Sequence, residues 1–242
     1  MAHALYGKLA PFYDRIYHWK DYDTEARNLL RYARAALGRP PHSLLDVTCG
    51  TGRHLNAFRR RIPRVAGVDA SRPMLREARR RLGPSVPLVV GDMRTFRLDA
   101  RYDVLTCLFS AIGYLRTRRD RDRALVNFYR HLEPGGVVLV EGWIRRSAFL
   151  GGHVALQTYE GKDAKIARVS VSRVVGGSSD IEMHTLVGQR GRRILHTVEH
   201  HRNALYEPPE LLGSFRRAGF RARVVLTGPF RERGLYIGIR AT

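Results

Sequence analysis

Cysteine, lysine and long apolar runs are all scarce in this chain of 242 residues. Only two cysteines occur, Cys49 and Cys107, so we expect neither a disulfide framework nor a cysteine-ligated metal cluster. No apolar run approaches the ~20 residues that span a bilayer, and the N-terminal stretch lacks the apolar core of a signal peptide. These absences predict a soluble protein of the cytoplasm.

Lysine is rare because arginine supplies 39 of the 43 basic residues, and the formal net charge is +21. A GC-rich genome would produce this bias, since most arginine codons are GC-rich. The charge is dispersed: over 72–82 the apolar residues form one helical face and the arginines form the solvated remainder. We therefore expect a basic surface rather than a nucleic-acid footprint, and such a surface would attract a small anionic substrate such as a nucleotide-linked sugar.

Strands and helices alternate from residue 24 to about residue 143. Apolar residues recur at helical spacing in three stretches, which are 24–37, a stretch from Pro73, and about 120–132. The apolar segments between them predict five strands, at 43–47, 65–69, 87–90, 103–109 and 137–141. The segment 132–136 reads as a turn before the fifth strand. This alternation predicts an α/β fold with a parallel, doubly wound, Rossmann-like sheet.

The pattern changes near residue 146. Polar and apolar residues then alternate as far as 204, and glycines supply the turns, which predicts a small antiparallel β insertion. A helix over 210–218 and a final strand over 235–239 would complete the main sheet. We therefore divide the chain into a main domain, 1–145 with 205–242, and an inserted antiparallel sheet, 146–204.

The loop after the first predicted strand is the most informative segment, with Asp46 ahead of Gly50 and Gly52. A strand that ends in Gly-x-Gly at a helix start brings backbone N–H groups close to a ligand. A dinucleotide fingerprint needs a third glycine, but Leu55 stands there, and Asp46 would repel a pyrophosphate. The same carboxylate would attract the sulfonium and ammonium groups of S-adenosylmethionine (SAM), which has no phosphate. The pattern D-x-x-C-G-T-G resembles the first motif of class I SAM-dependent methyltransferases.

Acidic residues also follow the next two predicted strands. Asp69 ends the second strand, where a carboxylate suits the two hydroxyls of a ribose, unless it only caps the next helix. Asp92 follows the third strand and could accept a hydrogen bond from the adenine amine, while Met74 and Met93 pack against the ring. The carboxyl ends of strands near the switch point are where doubly wound sheets bind ligands. The sequence therefore predicts a SAM site at this edge.

Several further segments narrow the resemblance. Four of them lie at 91–98, 109–115, 131–138 and 233–238. They are similar to segments of the TDP-amino-sugar N-methyltransferases, which make the dimethylamino sugars of macrolide antibiotics. The N-terminal Phe12-Tyr13-Asp14 and Lys20-Asp21-Tyr22 fit the same family. The resemblance covers most of the chain and is weakest in the inserted sheet.

The resemblance implies an N-methyltransferase that uses SAM to dimethylate the amine of a TDP-linked deoxyamino sugar and releases S-adenosylhomocysteine. It implies that the inserted sheet helps to cover the sugar and to form a homodimer. The SAM contacts carried over by position are Tyr13, Tyr22, Asp46, Gly50, Asp69, Met74, Asp92, Met93 and Leu108. Contacts to the sugar or phosphate are carried over to Tyr13, Ser110, Tyr114 and Arg233, with Tyr13 and Tyr114 at catalytic positions.

One position departs from the family pattern. Some members place a histidine where this chain has Tyr114, and a phenol with a pKa near ~10 is a poor general base at pH 7. The resemblance then implies that Tyr13 and Tyr114 orient the amine, whose proton goes to water or to a weak acceptor. His196 and His200 have metal-like i, i+4 spacing, but on a strand they would lie ~13 Å apart and could not share one ion. We expect His200 and His201 at the surface or in an interface, and no metal site.

Three alternatives stay open at this point. The nearest is a SAM-dependent methyltransferase of another natural-product amine or hydroxyl. The net charge suggests a nucleic-acid methyltransferase, but the expected Asn/Asp-Pro-Pro-Tyr/Phe motif is replaced by Leu108-Phe109-Ser110-Ala111. A basic binding module that keeps a SAM fold without catalysis would bind RNA or DNA with a steep salt dependence.

Overall fold

The computed structural model describes residues 3–242, so the first two residues of the predicted main domain lie outside the described part. Within residues 3–242 the chain forms eleven strands and six α-helices, besides short 3-10 helices. The strands are β1 (Ser43–Val47), β2 (Arg64–Asp69), β3 (Leu88–Val90), β4 (Tyr102–Cys107), β5 (Leu132–Glu141), β6 (Val154–Glu160), β7 (Lys165–Val175), β8 (Ser178–Gly188), β9 (Leu195–Ala204), β10 (Phe220–Val225) and β11 (Leu235–Arg240). The α-helices are α1 (Tyr13–Ile16), α2 (Tyr22–Leu37), α3 (Arg53–Phe58), α4 (Arg72–Leu82), α5 (Arg118–Arg130) and α6 (Pro208–Arg217).

Seven strands form the main sheet in the order β10-β11-β5-β4-β1-β2-β3. Strands β1 to β5 run parallel, whereas β11 is antiparallel to both of its neighbours. The doubly wound α/β fold is confirmed, but the sheet is mixed and not wholly parallel as the alternation predicted. The chain winds outwards from β1 to β3 on one side and from β4 to β5 on the other. The switch point, where ligands bind in such sheets, therefore lies between β1 and β4.

The predicted turn at 132–136 lies inside β5 and not before it. Between the pairs Tyr102–Leu132 and Val104–Val137, β5 has three more residues than β4, and Gly135 has a φ of +73°. A Cβ at Gly136 would lie 2.7 Å from the carbonyl oxygen of Glu133, so residues 133–136 form a tight turn, in which glycine adopts positive φ without strain. The turn is thus confirmed, but the strand that it was expected to precede already begins at Leu132.

The helices beside the switch point have capping residues at their ends. Asp21 is the N-cap of helix α2, where its carboxylate accepts hydrogen bonds from two backbone N–H groups, and Gly38 is the C-cap, in the left-handed conformation. Ser71 is the N-cap of helix α4, where its hydroxyl accepts a hydrogen bond from the backbone N–H of Met74. No helix within residues 3–242 is both long and apolar enough to cross a membrane.

Strands β6 to β9 form a separate four-stranded antiparallel sheet. Its inner face packs against the N-terminal segment, where Leu5, Leu9 and Tyr13 share a buried cluster with Ile166 and Val187. The other face is turned to solvent and carries several exposed apolar side chains, which are Val154, Leu156, Val169, Leu186 and Val198. We call these five residues the outer apolar face. The sheet thus covers the carboxyl ends of the central strands with its inner side only.

Candidate active site

The glycine loop after β1 is fixed by a carboxylate from β2. Gly50 and Gly52 have φ angles of +57° and +74°, and a Cβ at Gly52 would lie 2.8 Å from the side chain of Leu82. One oxygen of Asp69 accepts a hydrogen bond from the N–H of Gly50 over 2.8 Å, and the other accepts from the N–H of Ser71 over 2.8 Å. Burial raises the pKa of Asp69. Asp69 therefore lies beside the loop and shapes it.

Asp46 is a buried carboxyl group at the end of β1. It is 2% exposed, and Oδ1 accepts a hydrogen bond from the hydroxyl of Thr106 over 2.6 Å. Burial raises the pKa of Asp46 to about 6, although the nearby His54 acts in the opposite direction. The raised pKa means that the surrounding protein does not compensate a full negative charge on Asp46. A cationic ligand would supply that compensation.

A cavity opens between this loop, the N-terminal tyrosines and the end of β4. We call it the glycine-loop cavity. Five of the predicted SAM contacts line it, namely Tyr13, Tyr22, Asp46, Gly50 and Leu108. Its other lining residues were not predicted: Thr48, Cys49, Thr51, Arg53, His54 and Phe109. The predicted Met74 lies under the loop, since a Cβ at Gly50 would meet its methyl carbon at 3.4 Å.

Asp92 and Met93, predicted to hold adenine, follow β3 and do not line the glycine-loop cavity. Both oxygens of Asp92 are engaged by Arg94, from Nε over 2.9 Å and from a terminal nitrogen over 2.7 Å. These hydrogen bonds lower the pKa of Asp92. An adenine amine that bound Asp92 would have to use the remaining lone pairs of this carboxylate or displace Arg94 from it. Met93 is partly buried against the core on the other side of the sheet.

Phe109 and Ser110 join β4 to a short 3-10 helix in a strained conformation. Their φ angles are +52° and +61°, and with Thr48 they are the only non-glycine residues with positive φ within 3–242. Such strain costs about 1–3 kcal/mol per residue and clusters at functional sites. Two hydrogen bonds hold the segment, from Phe109 N–H to Glu141 over 2.8 Å and from the Ser110 hydroxyl to the Gly142 carbonyl over 2.7 Å.

A second, larger cavity lies beneath the inner face of the four-stranded sheet. We call it the inner-face cavity. Its lining includes three predicted substrate contacts, which are Ser110, Tyr114 and Arg233. The lining residues that sequence reasoning missed are Leu5, Tyr6, Tyr17, Trp19, Phe109, Trp143, Gln157, Arg168, Ile181, Met183, His201 and Asn203. Because Phe109 lines both cavities, the two adjoin at this ring.

Two guanidinium groups face the inner-face cavity. Arg233 donates a hydrogen bond to Glu141 over 3.0 Å and lies over the ring of Trp143. Arg168 comes from β7 and is only 6% exposed. The cavity wall is therefore positively charged at two points, of which the Arg233 charge is already paired with a carboxylate.

His201 is not where the sequence-based prediction put it. The surface prediction holds for His200, whose side chain is 48% exposed, but it was wrong for His201, whose side chain is 3% exposed. Successive strand residues point to opposite faces, so His201 enters the inner-face cavity. Its Nδ1 lies 2.5 Å from the hydroxyl of Tyr114, which in turn lies 2.8 Å from the hydroxyl of Tyr6. Burial raises the pKa of Tyr114, so its hydroxyl keeps the proton at pH 7.

Comparison with known proteins gives one consistent family. A family model described as a methyltransferase domain matches residues 44–136. The dTDP-3-amino-3,4,6-trideoxy-alpha-D-glucopyranose N,N-dimethyltransferase of Streptomyces venezuelae is 38% identical over 96% of this chain and 98% of its own length. The dTDP-3-amino-3,6-dideoxy-alpha-D-glucopyranose N,N-dimethyltransferase of Streptomyces fradiae is 39% identical over 96% of this chain and 91% of its own.

Two solved structures agree with these sequence matches. The crystal structure of DesVI from Streptomyces venezuelae gives a TM-score of 0.89 at 37% identity, over 96% of this chain and 98% of that one. SAM-bound CalS10, an amino pentose methyltransferase from Micromonospora echinaspora, gives a TM-score of 0.81 at 35% identity over 92% of both chains.

Proposed function

The chain belongs to the dTDP-amino-sugar N,N-dimethyltransferases and is a SAM-dependent methyltransferase, and on that premise we propose that it dimethylates the amine of a TDP-linked deoxyamino sugar in antibiotic sugar biosynthesis. The observation that carries the proposal is the junction of the two cavities at Phe109. One cavity offers a buried carboxylate to a cation, and the other offers an anion the buried guanidinium of Arg168 and the partly exposed one of Arg233.

The glycine-loop cavity suits SAM, which supplies an activated methyl group on a positively charged sulfur. Asp46 offers its uncompensated carboxylate to the cationic amino-acid part of the cofactor. Gly50 lets the loop backbone come close to it, and Asp69 stands at the end of β2, where ribose hydroxyls can reach an acid. Tyr13 and Tyr22 close the cavity from the N-terminal side. Asp92 and Met93 would hold the adenine at the end of β3.

The inner-face cavity suits a sugar linked to a nucleoside diphosphate. Arg168 and Arg233 present guanidinium groups to the diphosphate, because their planar donors match phosphate oxygens. Ser110 follows Phe109 directly and Tyr114 ends the short 3-10 helix after it, so both belong to the segment that runs from the junction of the two cavities, where the sugar amine has to be placed. Catalysis then rests on orientation, since holding two reactants in line can contribute roughly 7–11 kcal/mol.

We also propose that the outer apolar face pairs two copies of the chain as a homodimer. Leu156, Val169 and Val198 lie in one row across the sheet, with His184 between the last two. Each of the three apolar side chains is at least 42% exposed. Exposed apolar side chains grouped on one face of a sheet mark a protein interface, and a two-fold axis would bury them against themselves. The inner face of the same sheet would meanwhile cover the sugar.

An acceptor comparison tests the proposal. The enzyme and SAM are incubated with a TDP-linked 3-amino sugar and, as the matched control, with TDP-glucose, which carries hydroxyls only. We expect mass gains of one and two methyl groups on the amino sugar and none on TDP-glucose. Methylation of the hydroxyl sugar, or of a simple amine at an equal rate, would shift the assignment to another small-molecule acceptor. We further place the reaction in the cytoplasm, in keeping with two free, buried cysteines.

A further inference from the structure

Four polar side chains form a connected series in the wall of the inner-face cavity. The hydroxyl of Tyr6 lies 2.8 Å from that of Tyr114, and the hydroxyl of Tyr114 lies 2.5 Å from Nδ1 of His201. Nε2 of His201 lies 3.3 Å from Oε2 of Glu199. Tyr6, Tyr114 and His201 all line the cavity, so a ligand there can reach the hydroxyl of Tyr114.

The hydrogen-bond capacity of Tyr114 leaves one place for a substrate. A phenol oxygen donates one hydrogen bond and accepts up to two. When Tyr114 donates to Nδ1 of His201 and accepts from Tyr6, one lone pair remains on its oxygen. Nδ1 then accepts, so the tautomer that fits carries its proton on Nε2, which faces Glu199.

Glu199 and His201 are buried side by side, and within residues 3–242 each has a polar atom without a hydrogen-bond partner. Glu199 accepts a hydrogen bond from the backbone N–H of Leu5 over 3.1 Å. Its Oε1 and the Nε2 of His201 are buried without a well-aligned hydrogen bond within residues 3–242, although the two side chains lie within ion-pair distance. Burial opposes ionisation of Glu199, but the facing imidazole of His201 and the hydrogen bond from the Leu5 N–H lower its pKa. The carboxylate is thus ionised and able to stabilise an imidazolium ion.

We propose that His201, acting through the hydroxyl of Tyr114, accepts the proton that the sugar ammonium must lose before each methyl transfer. The ammonium N–H gives its proton to the Tyr114 oxygen, and the Tyr114 O–H gives its proton to Nδ1 of His201. The amine gains a free lone pair, Tyr114 stays neutral, and the positive charge moves to the imidazolium beside Glu199. The methyl group then forms its bond to nitrogen as its bond to sulfur breaks, with the electron pair left on sulfur.

Because dimethylation transfers two methyl groups in turn, the proton acceptor is needed twice. The first methyl transfer to a neutral amine leaves a secondary ammonium ion, which cannot attack again until it loses a proton. His201 must release the first proton to solvent between the two cycles. This inference rests on the proposed function, because the relay has no role without an amine acceptor.

The neighbours of His201 favour proton binding over metal binding. His3, Glu199 and His201 bring ligand atoms within 4.8 Å of one another. However, the rings of His3 and His201 are stacked, with centroids 4.2 Å apart and planes 16° apart. Imidazole lone pairs lie in the ring planes, so two stacked rings do not aim at one ion. Burial and the neighbouring His201 lower the pKa of His3, so His3 adds no competing charge near pH 7.

The variants His201→Asn and Glu199→Gln test the relay, with His200→Asn as the matched control on the outer side of the same strand. The rate of methylation of the TDP-amino sugar is followed from pH 6 to pH 9.5, with SAM affinity and Tm measured for each variant. We expect His201→Asn to lose ~10²-fold in kcat at pH 7, and the loss to shrink towards pH 9, where the amine sheds its own proton. Monomethyl product should accumulate, and Glu199→Gln should show a smaller loss with the same pH dependence.

Four outcomes would overturn the relay. They are an unchanged rate in His201→Asn, an equal loss at every pH in a folded variant, an equal loss in His200→Asn, or inactivation of the wild type by a chelator. If His201→Asn does not fold, the pH profile of Glu199→Gln decides between support and rejection. If the wild type methylates no TDP-amino sugar while it binds SAM, the proposed function fails instead, so the two failures are distinguishable.

Discussion

Arg168 donates a hydrogen bond to the hydroxyl of Tyr17 over 3.0 Å in the wall of the inner-face cavity. Its other hydrogen bond goes to the side-chain oxygen of Gln157, so both partners are uncharged. Burying a guanidinium without an acid is costly unless an anion arrives to pair with it. Arg168 is therefore the residue of the inserted sheet that is best placed for a diphosphate.

Replacing Arg168 tests this role. We expect Arg168→Gln to raise the KM for the TDP-amino sugar by ~10- to 100-fold, since one desolvated charge contact is lost, while the Kd for SAM stays unchanged. Titration calorimetry with TDP and with SAM separates the two sites. Arg173→Gln is the matched control, because Arg173 lies on the same strand with a side chain that is 63% exposed. An equal effect in both variants would contradict the assignment.

Asp46 couples cofactor binding to stability. Burial raises its pKa from 3.8 to about 6, so the folded chain holds this proton more tightly than the unfolded chain. That stabilisation is complete below pH 3.8 and is lost as the pH rises through about 6, above which the ionised group costs about 3 kcal/mol. We expect Asp46→Asn to raise Tm by several degrees at pH 7.5 and to lose this advantage near pH 4. SAM affinity should fall by ~10²-fold.

Asp103 provides a control of opposite sign. Burial opposes its ionisation too, but hydrogen bonds from Arg39 and from the backbone N–H groups of His42 and Ser43 hold its pKa below the usual range. Asp103→Asn should therefore lower Tm at pH 7.5, and the loss should shrink as the pH falls through the folded pKa. Thermal melts that move in the same direction for both variants would contradict this account of Asp46.

Tyr114 should contribute by orientation and by passing on a proton. Its hydroxyl stays neutral at pH 7, because burial raises its pKa, so it is not itself a base. We expect Tyr114→Phe to lose less than ~10³-fold in kcat, below the upper range for removal of a general base. Single-turnover rates in the folded variant measure the loss. A loss of ~10⁴-fold or more would show that the phenol itself carries the chemistry.

The outer apolar face should determine the oligomeric state. Leu156→Glu places a charge on this face, on the edge strand β6, so we expect the variant to elute as a monomer where the wild type elutes as a dimer. Light scattering coupled to gel filtration gives the mass. Ile194→Glu, at a 67% exposed position in the turn before β9, is the control and should leave the dimer intact. A monomeric wild type would disprove the dimer.

The main sheet could be predicted because its signals are local. Buried strands such as β1 are apolar runs, and a helix such as α2 carries its cap and its stop within the sequence. The cofactor side could be predicted for the same reason, since Asp46 and Gly50 lie in one short motif at the end of one strand. The turn at 132–136 was also predicted, but its position inside β5 was not, because the pairing of Leu132 with Tyr102 joins residues far apart in the sequence.

On the substrate side, Ser110, Tyr114 and Arg233 could be predicted, but the residues from the inserted sheet could not, because this sheet reverses the usual pattern. Val169 and Val198 point outwards, whereas Arg168 and His201 point into the cavity and Glu199 lies on the same inner side. Alternation in a sequence shows that two faces differ but does not say which one is covered. Only the packing of the N-terminal segment against the polar side determines that. The same packing brings His201 to Tyr114 from a position 87 residues away.

The count of methyl groups transferred tests the central claim most directly. A TDP-linked 3-amino sugar is incubated with the enzyme and excess SAM, and the products are followed by mass spectrometry over time. We predict a transient product with one added methyl group, followed by a final product with two, on the nitrogen. No mass gain on any TDP-amino sugar, with SAM binding intact, would contradict the assignment of this chain as an amino-sugar N,N-dimethyltransferase.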